Sequence, residues 1–202
     1  MGLFLPIQRD PWAEAAAVVV ILSWLGYVAI LLWGKSRGEQ EHQVREVKSH
    51  LGFAMQLLAY AGSCIFSRQL FTSIVAMQLA AEAAVSVFTI ALAIASMVFC
   101  FAAARALERQ WALVARVIEG HELIQRGPYA VVRNPIYLAM FGTWVATALA
   151  FTRWEAALPL MIVFIAGTAI RIRSEEKLLR EAFGAQFEAY ARRIPAFLPG
   201  IY

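Results

Sequence analysis

The C-terminal half of this chain gathers ionisable residues at two points. One is His121-Glu122-Leu123-Ile124-Gln125-Arg126-Gly127-Pro128-Tyr129, running on to Arg133-Asn134-Pro135-Ile136-Tyr137. The other is Arg171-Ile172-Arg173-Ser174-Glu175-Glu176. Their surroundings are apolar, and a charge placed in hydrocarbon costs several kcal/mol, so groups kept there have a use. Arginines such as Arg133 and Arg171 match the geometry of carboxylate and phosphate groups. Arg171 and Glu175 are four residues apart and share a helix face, which offers a cation and a carboxylate to a zwitterionic ligand. The plainer reading of the same residues is a helix start, an i,i+4 ion pair and basic residues that set topology.

The elements that must position these clusters are helices in lipid. The chain has 202 residues, 61% of them hydrophobic. Its mean hydropathy is +0.63. Soluble domains are nearer 45–50% apolar, roughly. About 20 apolar residues in a helix cross a bilayer core of about 30 Å. Runs that suit this lie at 12–33, 51–66, 83–104, 135–151 and 154–170. The expected fold is therefore all-α, a polytopic membrane protein of about five spans forming a single integral membrane domain over 1–202. Residues 1–104 would form the three N-terminal spans, and 105–202 the part that carries both polar clusters. The last two spans, separated by Thr152 and Arg153, are expected to form a tight hairpin, and 68–82 an outer connection. An amphipathic cytoplasmic helix is expected to open at Arg171 and reach about Arg193, with Leu179, Phe183, Phe187 and Tyr190 on one face. Gly184 in its middle would permit close packing, and Pro195 and Pro199 would stop it.

Charge placement sets the expected orientation. Lys35, Arg37, Arg45 and Lys48 precede the second span; Arg105, Arg109, Arg116, Arg126 and Arg133 lie between the third and fourth; six more follow the fifth. Only Arg9, Arg68 and Arg153 fall on the other side. The positive-inside rule then puts the amino terminus outside and the tail in the cytoplasm. The net charge of +4 is thus topological, and nucleic acid is not an expected partner. No cleavable signal peptide is expected, because Lys35 and Arg37 follow the first apolar run. Cys64 and Cys100 fall inside spans without metal spacing, so neither a disulfide nor a metal is expected. Gly127-Pro128 signals a turn, Pro135 suits a first helical turn, and Asn134 before it is a good N-cap.

Together these residues resemble the isoprenylcysteine carboxyl methyltransferase family, within the broader group of phospholipid methyltransferases. That pattern reads H-x-L-V-x-x-G-x-Y, then R-H-P-x-Y, then R-x-x-x-E-E-x-x-L-x-x-x-F-G, ending in Y and R-x-P. It is matched here by His121, Leu123, Ile124, Gly127, Tyr129, Arg133, Pro135, Tyr137, Arg171, Glu175, Glu176, Leu179, Phe183, Gly184, Tyr190, Arg193 and Pro195. The first three spans match only in being apolar. The resemblance implies S-adenosylmethionine as cofactor, bound without a Rossmann domain, and a lipid or lipidated acceptor reaching the site from the bilayer. It implies that His121, Glu122, Leu123, Ile124, Tyr129, Asn134, Tyr137, Glu175 and Glu176 line the cofactor pocket. Arg133 and Arg171 would bind and orient the acceptor.

One departure bears on mechanism. The family's R-H-P histidine is Asn134 here, and an amide cannot titrate. A carboxylate acceptor needs no base, since its pKa near ~3.5 leaves it ionised at neutral pH. Carboxyl methylation is favoured on that ground, while phospholipid N-methylation stays open because arginine also binds phosphate. The alternatives outside methyl transfer are an NADPH-dependent sterol-type reductase, which carries a similar G-x-Y…R-H-P-x-Y segment, and a non-enzymatic membrane scaffold.

Overall fold

A backbone in hydrocarbon must satisfy its own hydrogen bonds, which leaves helices as the economical solution for runs this apolar. The computed structural model describes residues 10–37, 47–69, 72, 79–107 and 123–198. These residues form α1 (Pro11–Arg37), α2 (Val47–Ile65), α3 (Leu79–Leu107), a 3-10 turn (Gly127–Ala130), α4 (Pro135–Phe151), α5 (Trp154–Phe183) and α6 (Ala185–Ala191). Among the described residues there is no strand, only an isolated bridge between Ser67 and Thr152. A helix stands at each of the five expected places. Three of them, α1, α3 and α5, are long and apolar enough to cross a membrane, while α4 is apolar but shorter.

The helices pack as a group of three joined to a pair. Tyr27 and Ile30 of α1 meet Cys100 and Ala104 of α3 and Ala139 of α4. At the other end Val20, Ala93, Ala146 and Ala150 meet. So α1 and α3 run together and α4 runs against them. The remaining pair is α2 and α5, which cross at glycines. A Cβ on Gly52 would stand 2.5 Å from the Gly167 carbonyl oxygen, and one on Gly167 would stand 2.7 Å from that of Gly52. Lipid offers no hydrophobic drive between helices, so such close backbone approach supplies dispersion contacts instead. The expected hairpin of α4 and α5 is thus a short connection between helices with other main partners: α3 for α4, and α2 for α5.

Aromatic rings seal the two groups together. Trp24 and Tyr60 meet edge to face with centroids 4.8 Å apart. Phe164 lies 5.6 Å from Tyr60 and 5.7 Å from Trp144. Polar tips find partners, with Trp24 Nε1 donating to Thr147 Oγ1 at 3.0 Å and the Tyr60 hydroxyl to the Met140 carbonyl at 2.8 Å. Arg68 caps α4, donating to the carbonyls of Leu149 (3.0 Å) and Ala150 (2.7 Å). A helix C-terminus leaves carbonyls without donors and carries partial negative charge, so a cation suits it.

Two expectations need correction. No separate amphipathic helix opens at Arg171, because α5 continues unbroken from Trp154 to Phe183. Nothing between Ile170 and Ser174 can stop a helix, so the span simply emerges from its apolar part. The helix breaks instead at Gly184, which adopts φ 48° and ψ −121°. A Cβ at Gly184 would meet nothing within 4 Å, so its role is conformational and not close packing. The stripe from Leu179 to Tyr190 is therefore split between two helices. At the α2–α5 crossing, Gly167→Ala is expected to cost about 1–3 kcal/mol by overpacking, read as a lowered thermal midpoint of the detergent-solubilised chain. An unchanged midpoint would show that the glycine contact does not hold the pair.

Candidate functional site

The site lies where the N-terminal half of α2, the start of α4 and the polar part of α5 converge. Gly127 takes φ +60°, and Pro128 follows in the 3-10 turn, so the chain reverses just before α4. The turn buries Tyr129 against Ala103 and Ile124, with Leu107 and Ile136 packed beside them. Leu123, half-buried, leads into this cluster. The Tyr190 hydroxyl donates to the Tyr129 carbonyl at 2.6 Å, which ties α6 to the turn. Burial pushes the Tyr190 phenol up to about 12, with Arg133 opposing. Burial also raises Tyr129, reinforced by Glu175 and Tyr190. Both phenols are therefore neutral hydrogen-bonding groups at physiological pH.

The tail is clasped by Arg133. Its Nε donates to Glu176 Oε1 at 2.9 Å, and its Nη2 lies 2.9 Å from the same oxygen. Both side chains are only 9% exposed. Its Nη1 reaches the Ala191 carbonyl at 2.8 Å and also the Ile194 carbonyl. The Arg133 amide donates to the Pro195 carbonyl at 2.9 Å. Asn134 joins in, its Nδ2 donating to the Ala196 carbonyl at 2.8 Å. Asn134 does occupy the N-cap position of α4, but its side chain makes no cap hydrogen bond. A cap would need its Oδ1 to accept from the first turn of α4, whereas the side chain is turned to the tail through its Nδ2 donor. Arg133, expected to face an acceptor, and Glu176, expected at the cofactor, thus hold each other and the tail.

The second half of the site is a buried polar chain. The Tyr137 hydroxyl donates to Glu175 Oε1. The Arg171 guanidinium lies 4.8 Å from the centroid of the Tyr137 ring and 5.4 Å from that of Phe53. Its Nη1 donates to Gln56 Oε1 at 2.8 Å, and Gln56 Nε2 donates to Thr168 Oγ1 at 2.8 Å. Tyr137, Arg171, Gln56 and Thr168 are all buried. Glu175 lies within electrostatic reach of Arg171. Carboxylate, aromatic face and guanidinium are thus presented together, which suits a ligand carrying both a cation and an anion.

Of the expected residues, the structure brings together Tyr137, Glu175 and Arg171, and beside them Arg133, Asn134 and Glu176. Ile124 and Tyr129 line the adjoining turn. His121 and Glu122 lie outside the described residues. Sequence reasoning passed over Gln56, Phe53 and Thr168. The signal available was a lone amide in an otherwise apolar run, which in a membrane span marks a polar partner. Among the described residues no three His, Cys, Asp or Glu side chains gather as a metal site.

Comparison with known proteins covers the same region. Residues 84–186 match the family described as phospholipid methyltransferase. The chain is 32% identical over 81 residues to protein-S-isoprenylcysteine O-methyltransferase B of Arabidopsis thaliana, covering 40% of this chain and 41% of that protein. It is 37% identical over 78 residues to the nickel-cobalt-cadmium resistance protein NccN of Alcaligenes xylosoxydans xylosoxydans, covering 39% and 36%. A third relative, protein-S-isoprenylcysteine O-methyltransferase of Schizosaccharomyces pombe, is 30% identical over 79 residues, covering 39% and 34%. The matched stretch spans less than half the length of each of these relatives. Within the clasp, Glu176→Ala leaves the Arg133 charge buried without its partner and is expected to cost about 3 kcal/mol. Thermal unfolding should report this, together with faster proteolytic cleavage of the segment after Ala191. A tail cleaved no faster than wild type would contradict the clasp.

Proposed function

This chain belongs to the phospholipid methyltransferase family, and from that premise we propose that it transfers a methyl group from S-adenosylmethionine to a lipid or lipidated acceptor held in the bilayer. The observation that carries the reading is the cluster of half-buried Glu175 with buried Tyr137 and Arg171, in which opposite charges and an aromatic face meet at the junction of α2, α4 and α5. When bound, the cofactor supplies an electrophilic methyl group on a sulfonium. Glu175, held by Tyr137, offers that cation a half-buried carboxylate. Tyr129, Leu123 and Ile124 would wall the cofactor side. Arg171 would orient the acceptor, and Arg133, Asn134 and Glu176 would act through the tail they hold.

A carboxylate of isoprenylcysteine type is the acceptor we favour. Its oxygen forms the new C–O bond as the C–S bond breaks, and the electron pair of that bond leaves with the thioether product. No proton moves, so Asn134 in place of a titrating group is no obstacle. The chain's task is then alignment and exclusion of water, which is what a buried, pre-aimed guanidinium provides. Phospholipid N-methylation is the second reading, favoured by the description of the matching family and by the fit of arginine to phosphate. We place all five long helices across the membrane, with the amino terminus outside and the site at the cytoplasmic face.

The test is incubation of the purified chain with labelled S-adenosylmethionine and total membrane lipid. Base-labile label in the lipid fraction is expected, marking an ester, whereas base-stable label would mark N-methylation. Glu175→Ala should abolish the thermal shift given by S-adenosylhomocysteine. Arg171→Ala should keep that shift and lower turnover by about 30-fold or more. No shift with S-adenosylhomocysteine, or tight binding of NADPH in its place, would overturn methyl transfer.

A further inference from the structure

Three residues of α2 converge on Arg171. Gly52 and Gln56 are four residues apart and lie one above the other on the helix face, with Phe53 beside them. A Cβ on Gly52 would stand 2.6 Å from Arg171 Cγ, so the glycine makes room for the arginine's stem. Phe53 places its ring 5.4 Å from the guanidinium. Gln56 accepts from Nη1 at 2.8 Å and is itself held by Thr168, one turn before Arg171 on α5. Arginine has donors only, so the amide must turn its oxygen to Arg171 and its nitrogen to Thr168. An apolar side chain would pack this crossing at lower cost, since a buried amide in a span needs partners at both ends.

Resting on the methyl-transfer reading above, we infer that Gln56 is a positioning residue: it aims the Arg171 guanidinium at the acceptor's anionic group through a neutral acceptor atom. Neutrality is the point of the choice. Glu175 is already an electrostatic neighbour of Arg171. A second carboxylate at position 56 would hold the guanidinium equally well, yet would make the group net negative and repel an anionic acceptor. An amide fixes direction and adds no charge. The N-terminal half of the chain thereby contributes to acceptor recognition, although the residues of the family pattern all lie in the C-terminal part.

The experiment compares the full chain with Gln56→Glu and Gln56→Met in lipid nanodiscs. Acceptor KM and kcat are measured with N-acetyl-S-farnesylcysteine and with phosphatidylethanolamine, and the S-adenosylhomocysteine Kd is measured by calorimetry. Gln56→Glu retains a partner for Arg171 and should fold. Each variant is expected to raise the KM of whichever probe the wild type methylates by about tenfold or more, with the cofactor-product Kd unchanged. A folded variant with wild-type KM overturns the positioning role, as does loss of S-adenosylhomocysteine binding in step with KM. If neither variant folds, Gln56 is a packing residue and the inference fails. A wild-type chain that binds no S-adenosylhomocysteine fails the methyl-transfer reading itself, and that outcome is distinguishable from the others.

Discussion

A guanidinium in the apolar depth of a helix bundle must be surrounded, and the arrangement of this protein follows from how Arg171 is surrounded. No single helix can do it. α5 supplies the charge, α2 supplies an amide oxygen and a ring, and α4 supplies a second ring whose hydroxyl engages Glu175. The crossing of α2 and α5 at Gly52 and Gly167 is the geometric condition for this, since bulkier residues would hold Gln56 away from the arginine. Close packing and polar satisfaction are thus one design at this crossing. In lipid, where burial of apolar surface gives no preference among helices, such contacts decide which helices pair.

The second buried cation is handled differently, and the contrast divides the site. Arg133 is matched by a full negative charge on Glu176 and by carbonyls of the tail. A pair closed in this way has little left to offer a ligand, and its effect is to fold the segment after α6 back over the start of α4. Arg171 is held by a neutral amide and by aromatic faces, and its carboxylate neighbour Glu175 is engaged by the Tyr137 hydroxyl. Two arginines that look alike in sequence therefore have different electrostatic roles, one as a brace and one as a candidate ligand contact.

Much of this was legible in the sequence because hydropathy reports the solvent of each segment directly. The five helices stand where the apolar runs lie, and α4 begins at Pro135 as the proline's fixed φ requires. The Gly127-Pro128 turn also stands where these residue types demand it. Residues Tyr137, Arg171 and Glu175 could be singled out because polar groups in an apolar chain are conspicuous. Less legible were features in which a residue had two uses open to it. Asn134 can cap a helix or reach the tail, and Gly184 can admit a neighbour or break a helix. Local chemistry allows either, and each was settled by what lies nearby.

The sequence by itself determined the helical class, the apolar segments, the family and the identity of the charged groups, because composition, periodicity and motif spacing are properties of neighbours along the chain. Only the tertiary structure decided the partners. Gln56 and Arg171 are 115 positions apart, and Arg133 and Glu176 are 43 apart. A hydrogen bond is a short-range interaction in space, indifferent to separation along the chain. Which amide meets which guanidinium therefore follows from the α2–α5 crossing, and the division of labour between the two arginines exists only once the helices have packed.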